Sequence, residues 1–253
     1  MNDIIVLNDV SVAFNGETIY DKLSFTVRDG EFLCIVGPSG CGKSTLLRVL
    51  GDLLKVDSGS VDVAGAPPSR SWEEMAYVFQ SPRLLPWRTA EENVVLGQQL
   101  RFGSKRSKTE MRDKANELLN MVGLGRDAHK APAMLSGGER QRVSIARALA
   151  VDPRIVLMDE PFSALDINTR QRMRAEIVDI WKKTGKTVVF VTHEVDEALE
   201  LADRVVVLSS KPTRVVEVLT LDTPRPRSPN ESKIRNARER VMRLLGATVG
   251  EEA

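Results

Sequence analysis

The sequence predicts a doubly wound α/β core, and two observations carry that prediction. Two near-continuous apolar, β-branched runs, Ile155 to Met158 and Thr187 to Val191, have the pattern of central parallel strands covered on both faces. A helical stretch from Thr169 to Lys183 lies between them, and Val195, Ala198, Leu199 and Ala202 recur on one helical face after the second. This βαβα order places parallel strands side by side with helices packed on the sheet.

Taken from the N-terminus, short β-rich runs alternate with turns: Ile4 to Val6, Val10 to Phe14, Leu23 to Val27, Phe32 to Val36 and Ser60 to Val63. They predict a mixed sheet. Leu46 to Leu50 reads as a helix. After Gln80 the character changes: Pro82 and Pro86 punctuate the chain, and helix-forming stretches follow. One of them, Thr109 to Val122, sets Met111, Ala115, Leu118, Leu119 and Val122 at helical spacing. Residues 84–150 therefore read as a helical insertion. From residue 211 the chain is richer in Pro and Arg, and Pro224 to Pro226 break structure before a last helix from Glu231 to Leu245.

The 253 residues fit one large domain carrying a subdomain and a short tail. With 36 basic and 35 acidic side chains the net charge is +1, so bulk electrostatics supply no drive toward nucleic acid or anionic lipid. Every apolar run falls far short of the roughly 18 residues that span a bilayer. The first residues, MNDIIVLNDV, have an acidic residue where a secretory signal has a basic region, which predicts a cytoplasmic protein. Cys34 and Cys41, the only cysteines, are not a disulfide framework and read as reduced thiols.

Three segments carry chemistry. Gly37-Pro38-Ser39-Gly40-Cys41-Gly42-Lys43-Ser44-Thr45 fits the phosphate-loop pattern, and it sits where that pattern requires, after a strand and before a helix. Backbone N–H groups at a helix N-terminus cradle phosphate oxygens, Lys43 neutralises the outer phosphates, and the Ser44 hydroxyl can ligate magnesium. Asp159 and Glu160 close a buried strand at its carboxyl end, where ligand crevices open in α/β sheets. Asp159 is placed to hold magnesium and Glu160 to polarise an attacking water as general base. In the third segment, Leu135 to Arg142, Ser136 and Glu139 fit a helix capping box. Gly137 and Gly138 behind the cap leave bare N–H groups that an anion can approach closely.

With these residues in hand, the chain resembles the ATP-binding-cassette family of ATPases, whose signature matches Leu135 to Gln141. The resemblance covers residues 4–210. It implies a P-loop NTPase fold: a RecA-like core with an N-terminal antiparallel β subdomain, an inserted α-helical subdomain (84–150) and a short tail (211–253). It makes Gly37 to Thr45 the Walker A loop, Asp159 and Glu160 the end of Walker B, and Gln80 the Q-loop glutamine, a catalytic residue and, with Ser44 and Asp159, a third magnesium-side one. Ser163 to Asp166 becomes the D-loop, with Asp166 beside nucleotide, and His193 the switch histidine. Phe14 takes the place of the ring that stacks on adenine, a role that Tyr20 or Phe25 could also fill. The signature residues Ser136, Gly137 and Gly138 are implied to act on the nucleotide of a second copy, so that two chains sandwich two ATP molecules with Mg2+.

Within the family, Leu84 to Val94 resembles the segment after the Q-loop in nitrate, sulfonate and taurine importers, and Pro224-Arg225-Pro226-Arg227 resembles the same group. The implied partners are integral membrane permease subunits, a second copy of the chain and, indirectly, a solute-binding protein. The implied location is the cytoplasmic face of the inner membrane, and the implied cargo a small anionic nutrient. A soluble cassette ATPase acting on nucleic acid or ribosomes is the alternative; it predicts paired cassettes, a long insertion or a basic face, none evident here. A non-enzymatic ATP-gated scaffold predicts a damaged Walker B or switch residue, whereas Glu160 and His193 are both present.

Overall fold

The computed structural model describes residues 2–249; the final tail residues, 250–253, lie outside the described residues. In chain order the elements are β1 (Asp3–Phe14), β2 (Glu17–Arg28), β3 (Phe32–Val36), α1 (Lys43–Leu50), β4 (Ser58–Val63), β5 (Met75–Val78), α2 (Ala90–Phe102), α3 (Lys108–Met121) and α4 (Gly137–Leu149). They continue with β6 (Ile155–Asp159), α5 (Ile167–Thr184), β7 (Thr187–Val191), α6 (Val195–Leu201), β8 (Arg204–Leu208), β9 (Val215–Thr220) and α7 (Ser232–Val249). The chain divides into two compact units, one formed by residues up to Trp72 together with those from Lys186 onward, the other by Glu73–Gly185.

In the first unit β1 pairs antiparallel with both β2 and β4, giving the order β2-β1-β4. The sequence predicts two short strands where β1 runs unbroken. A register irregularity between Leu7 and Val10, with Asp9 at φ 48°, carries the polar Asn8-Asp9 pair through the strand with both residues exposed, as a β-bulge does. A second sheet is built on β3, which pairs parallel with β7 on one side and β8 on the other. All three are buried along their whole length, the physical reason that their sequences are near-continuously apolar rather than alternating, with Thr187 and Arg204 the polar residues at the starts of β7 and β8. β9 closes the edge antiparallel to β8.

In the second unit β5 and β6 pair parallel, and α2, α3 and α4 pack on one another. Each of these helices opens with a complete capping box: Thr89 with Glu92, Ser107 with Glu110, Ser136 with Glu139. These boxes satisfy N–H groups that a helix start leaves without partners. Of the predicted elements β3 and β7 fall at the predicted bounds, and the helix read at Thr109 to Val122 is α3. The strands β5, β8 and β9 have no counterpart in the sequence reading.

Candidate functional site

The phosphate loop runs from the end of β3 to the start of α1. Gly42, the last residue before the helix, has φ 103°, a conformation that side chains rarely adopt. A Cβ there would lie 2.8 Å from Ile19 Cγ2 and 3.0 Å from the Tyr20 ring, so glycine is required twice over. The helix start has no side-chain cap, and the N–H groups of its first turn are the orphan donors that suit an anion. Lys43 is buried, and its Nζ donates to the carbonyls of Gly37 (2.8 Å) and Pro38 (2.9 Å).

Two buried hydroxyls hold this loop from behind, and nothing in the sequence pointed to them. Tyr20 Oη donates to the Gly42 carbonyl at 2.5 Å, and Thr213 Oγ1 donates to the Cys41 carbonyl at 2.5 Å. Thr213 is itself fixed by its backbone N–H, which donates to the Ile19 carbonyl at 2.7 Å. Burial pushes the Tyr20 hydroxyl and the Cys41 thiol up from their ordinary ranges, so both stay protonated. The three aromatic candidates now separate. Tyr20 and Phe25 are buried, whereas Phe14 stands 42% exposed at the end of β1. A cavity of about 720 Å³, lined by Glu17, Thr18, residues 38–41 and residues 210–212, opens along the loop, a volume suited to a small ligand. His193 is exposed on the turn after β7, the parallel neighbour of β3.

The second unit gathers a separate set. β6 delivers Asp159, whose Oδ2 accepts from Tyr77 Oη at 3.3 Å. Glu160 follows at φ 41°; a residue with a Cβ held in this region signals a constraint that the surrounding structure maintains. The Glu160 carbonyl accepts from Ser163 N (3.2 Å) and from Ser163 Oγ (3.0 Å), and Gln80 Nε2 donates to Ser163 Oγ at 3.1 Å. Gln80, the Glu160 turn and Ser163 thus form one network. Asp166 caps α5, accepting from Thr169 N at 3.0 Å, and that bond holds its carboxyl below the usual range.

At the start of α4, Ser136 Oγ accepts from Glu139 N at 3.2 Å, and Glu139 Oε2 accepts from Ser136 N at 2.7 Å. A Cβ on Gly138 would lie 2.6 Å from Thr169 Cγ2, so the second glycine is a close-approach position as well as a bare one. The same helix reaches the Q-loop segment: Gln141 Nε2 donates to the Phe79 carbonyl (3.4 Å), and Arg147 donates to the carbonyls of Pro82 (2.7 Å) and Arg83 (2.9 Å).

The segment from Leu84 to Thr89 is shaped by one buried amide. Asn93 Oδ1 accepts from Leu85 N at 2.8 Å, and its Nδ2 lies within hydrogen-bond reach of the carbonyls of Leu85, Arg88 and Thr89. On the loop so fixed, Trp87 is 76% exposed.

The ABC transporter family model matches residues 20–163. A taurine import ATP-binding protein of Pseudomonas aeruginosa is 46% identical over 204 residues, 81% of this chain and 76% of that one. An aliphatic sulfonates import ATP-binding protein of Pseudomonas syringae is 42% identical over 245 residues, 97% of this chain and 83% of that one. An uncharacterized ABC transporter ATP-binding protein of Methanocaldococcus jannaschii is 43% identical over 234 residues, 92% of this chain and 86% of that one. Among solved structures, a dimeric ATP-binding cassette in a post-hydrolysis state bound to ADP and Pi superimposes with a TM-score of 0.75 at 33% identity, covering 87% of this chain and 100% of that one.

Proposed function

We propose that this chain, which belongs to the ABC transporter family and is one of its ATPases, is the motor subunit of an importer for a small anionic nutrient of the sulfonate, taurine or nitrate type. Its fold is that of the P-loop cassettes. In our reading two copies close around two ATP molecules. Each phosphate loop, Gly37 to Thr45, holds the phosphates of one nucleotide, with Lys43 on the outer ones and Phe14 against the adenine. Ser136, Gly137 and Gly138 of the other copy face the same nucleotide, near Asp166. Ser44, Gln80 and Asp159 offer a hydroxyl, an amide oxygen and a carboxylate, hard oxygen donors that fit Mg2+. Bound there, the ion would neutralise charge on the phosphates.

The protein's own steps are two. Glu160 takes a proton from the attacking water, and His193 donates a hydrogen bond to the γ-phosphate, so that hydrolysis proceeds only when the loop carrying His193 is in place. Hydrolysis then releases the clamp between copies, a population shift between closed and open dimers.

The observation that carries the importer reading is Trp87, held out on a loop that Asn93 fixes. A large ring presented to solvent on a rigid loop is an anchor for a partner, and the partner we assign is a helix of a membrane permease seated beside Trp87. The chain would then sit on the cytoplasmic face of the inner membrane; among the described residues no helix is long and apolar enough to cross it. The helical segment 84–150 would act as the subdomain that carries both this loop and the signature.

The test is purification of the chain from its native membrane in mild detergent. A polytopic membrane protein retained at moderate salt, and lost on Trp87→Ala, supports the reading; a solute-binding protein recovered with it identifies the cargo. Recovery with ribosomes or DNA and no membrane partner overturns it.

A further inference from the structure

The Pro224-Arg225-Pro226-Arg227 segment has a use that the proposed chemistry leaves untouched. Its two arginines turn inward. Arg227 is only 7% exposed, and its Nη1 donates to the carbonyls of Leu199 (3.0 Å), Glu200 (3.4 Å) and Ala202 (2.6 Å). Its Nε and Nη2 donate to Thr223 (2.7 Å) and Leu221 (3.1 Å). Arg225 Nε donates to the Leu201 carbonyl at 2.8 Å, and its Nη2 to Asp203 Oδ1 at 2.7 Å. Burial pulls the Arg227 pKa down to about 10, which still leaves the guanidinium charged at neutral pH.

These bonds account for the whole C-terminal end of α6. A helix leaves its last four carbonyls without internal partners. Here the Ala198 carbonyl accepts from Ala202 N, those of Leu199 and Glu200 from Arg227, and that of Leu201 from Arg225. The helix has seven residues, far below the length at which a helix is stable by itself. Two cations at its negative end supply what its length does not. At its other end α6 follows His193 and Glu194 directly, where Thr192 Oγ1 accepts from Glu194 N at 3.0 Å. Thr192 is tied to β3 through its backbone N–H, which donates to the Ile35 carbonyl. Asp203, the partner of Arg225, accepts from Phe32 N at 2.9 Å. The clamp therefore rests on the start of β3, the strand whose end opens the phosphate loop.

We infer that Arg225 and Arg227 are positioning residues for the switch histidine: they lock α6 from its far end and so fix where His193 stands relative to the phosphate loop. The inference rests on the reading of His193 given above. It also assigns the tail a part in turnover rather than in folding alone.

Arg227→Lys tests it, because an ammonium retains the charge but cannot reach carbonyls on all sides at once. In the purified full-length ATPase we expect kcat to fall ~10-fold with KM for ATP held within about twofold, since a group displaced by a fraction of an ångström loses rate before it loses binding. Amide exchange should quicken in α6 and stay unchanged in α1 and β3. An unchanged kcat overturns the inference. So does a raised KM with faster exchange throughout the first unit, the mark of a general fold brace. If Arg227→Lys does not fold, Arg225→Lys takes the guanidinium from the Leu201 carbonyl and the Asp203 carboxylate, and the same split between kcat and KM is required of it. His193→Ala separates the two ideas. Should that variant keep full turnover, the reading of His193 falls; should it lose turnover while the arginine variants keep theirs, only the clamp falls.

Discussion

Gln80 donates to the Ser163 hydroxyl at 3.1 Å, and that hydroxyl donates in turn to the carbonyl of Glu160 at 3.0 Å. One oxygen thus joins the segment after β5 to the turn in which Glu160 is held at φ 41°. Ser163→Ala removes the link without touching the Glu160 carboxylate. One neutral hydrogen bond is worth about 0.5–1.5 kcal/mol, so kcat should fall roughly two- to tenfold with ATP affinity unchanged. Steady-state turnover and fluorescent-nucleotide binding check this, and a weakened affinity at full kcat would assign the link to binding instead.

Glu160→Gln should have a much larger effect. Losing a general base removes about 10²- to 10⁴-fold in rate, while the amide keeps the size of the carboxylate. Nucleotide binding should persist, and a dimer should accumulate on gel filtration with ATP. Turnover within tenfold of the parent would move the base elsewhere.

The two hydroxyls behind the phosphate loop make a different claim. Tyr20→Phe and Thr213→Val each remove a side-chain donor from a loop carbonyl, at a cost of about 1 kcal/mol and a fall in melting temperature of about 2–4 °C for a chain of this size. Because the carbonyls belong to Gly42 and Cys41, KM for ATP should rise while kcat holds. The opposite pattern would show that the loop keeps its shape without them.

Gly138→Ala tests whether the second glycine of the signature is needed for space. The new methyl would meet Thr169 Cγ2 at 2.6 Å, and overpacking of that kind costs about 1–3 kcal/mol. Thr169→Ser deletes the methyl it meets, so the double variant should regain most of the lost stability in a denaturant titration. No recovery would mean that the strain lies in the backbone.

Acid should loosen two helix starts. The backbone N–H bonds to Glu139 and Asp166 hold both carboxyls below their ordinary ranges. A depressed folded pKa means stabilisation that is present above the unfolded value and lost as pH falls through the folded one. Amides in the first turns of α4 and α5 should therefore exchange faster, relative to the intrinsic rate, below the usual carboxylate range. Ser136→Ala, which removes one of the bonds to Glu139, should move the midpoint for α4 upward.

Much of this architecture was legible in the letters. β3 and β7 could be read because strands buried on both faces are near-continuous apolar runs, broken in β7 only by Thr187 at its start, and the capping box at Ser136 because its spacing is local. β8 carries the same kind of apolar run, Val-Val-Val-Leu, behind a charged first residue, Arg204. β5 and β9 were harder: β5 is four residues long and mostly half-buried, and β9 is an edge strand of mixed exposure. The brace of Tyr20 and Thr213 joins residues far apart in the chain, and only the fold brings them to one loop. Arg225 and Arg227 run against expectation, since arginine in a Pro-rich tail reads as solvent-exposed. The carbonyls that draw them inward exist only once α6 has formed.

Asn93, which closes four hydrogen bonds around the loop bearing Trp87, bears on how such a motor could be shared. A surface shaped before its partner arrives loses little conformational freedom on docking, so it selects by fit rather than by moulding itself. Change of partner then becomes a matter of replacing the ring at position 87 or its exposed neighbours, while the amide beneath stays as it is. The loop would behave as an interchangeable fitting on a fixed mount, letting one ATPase design serve permeases that carry different cargoes.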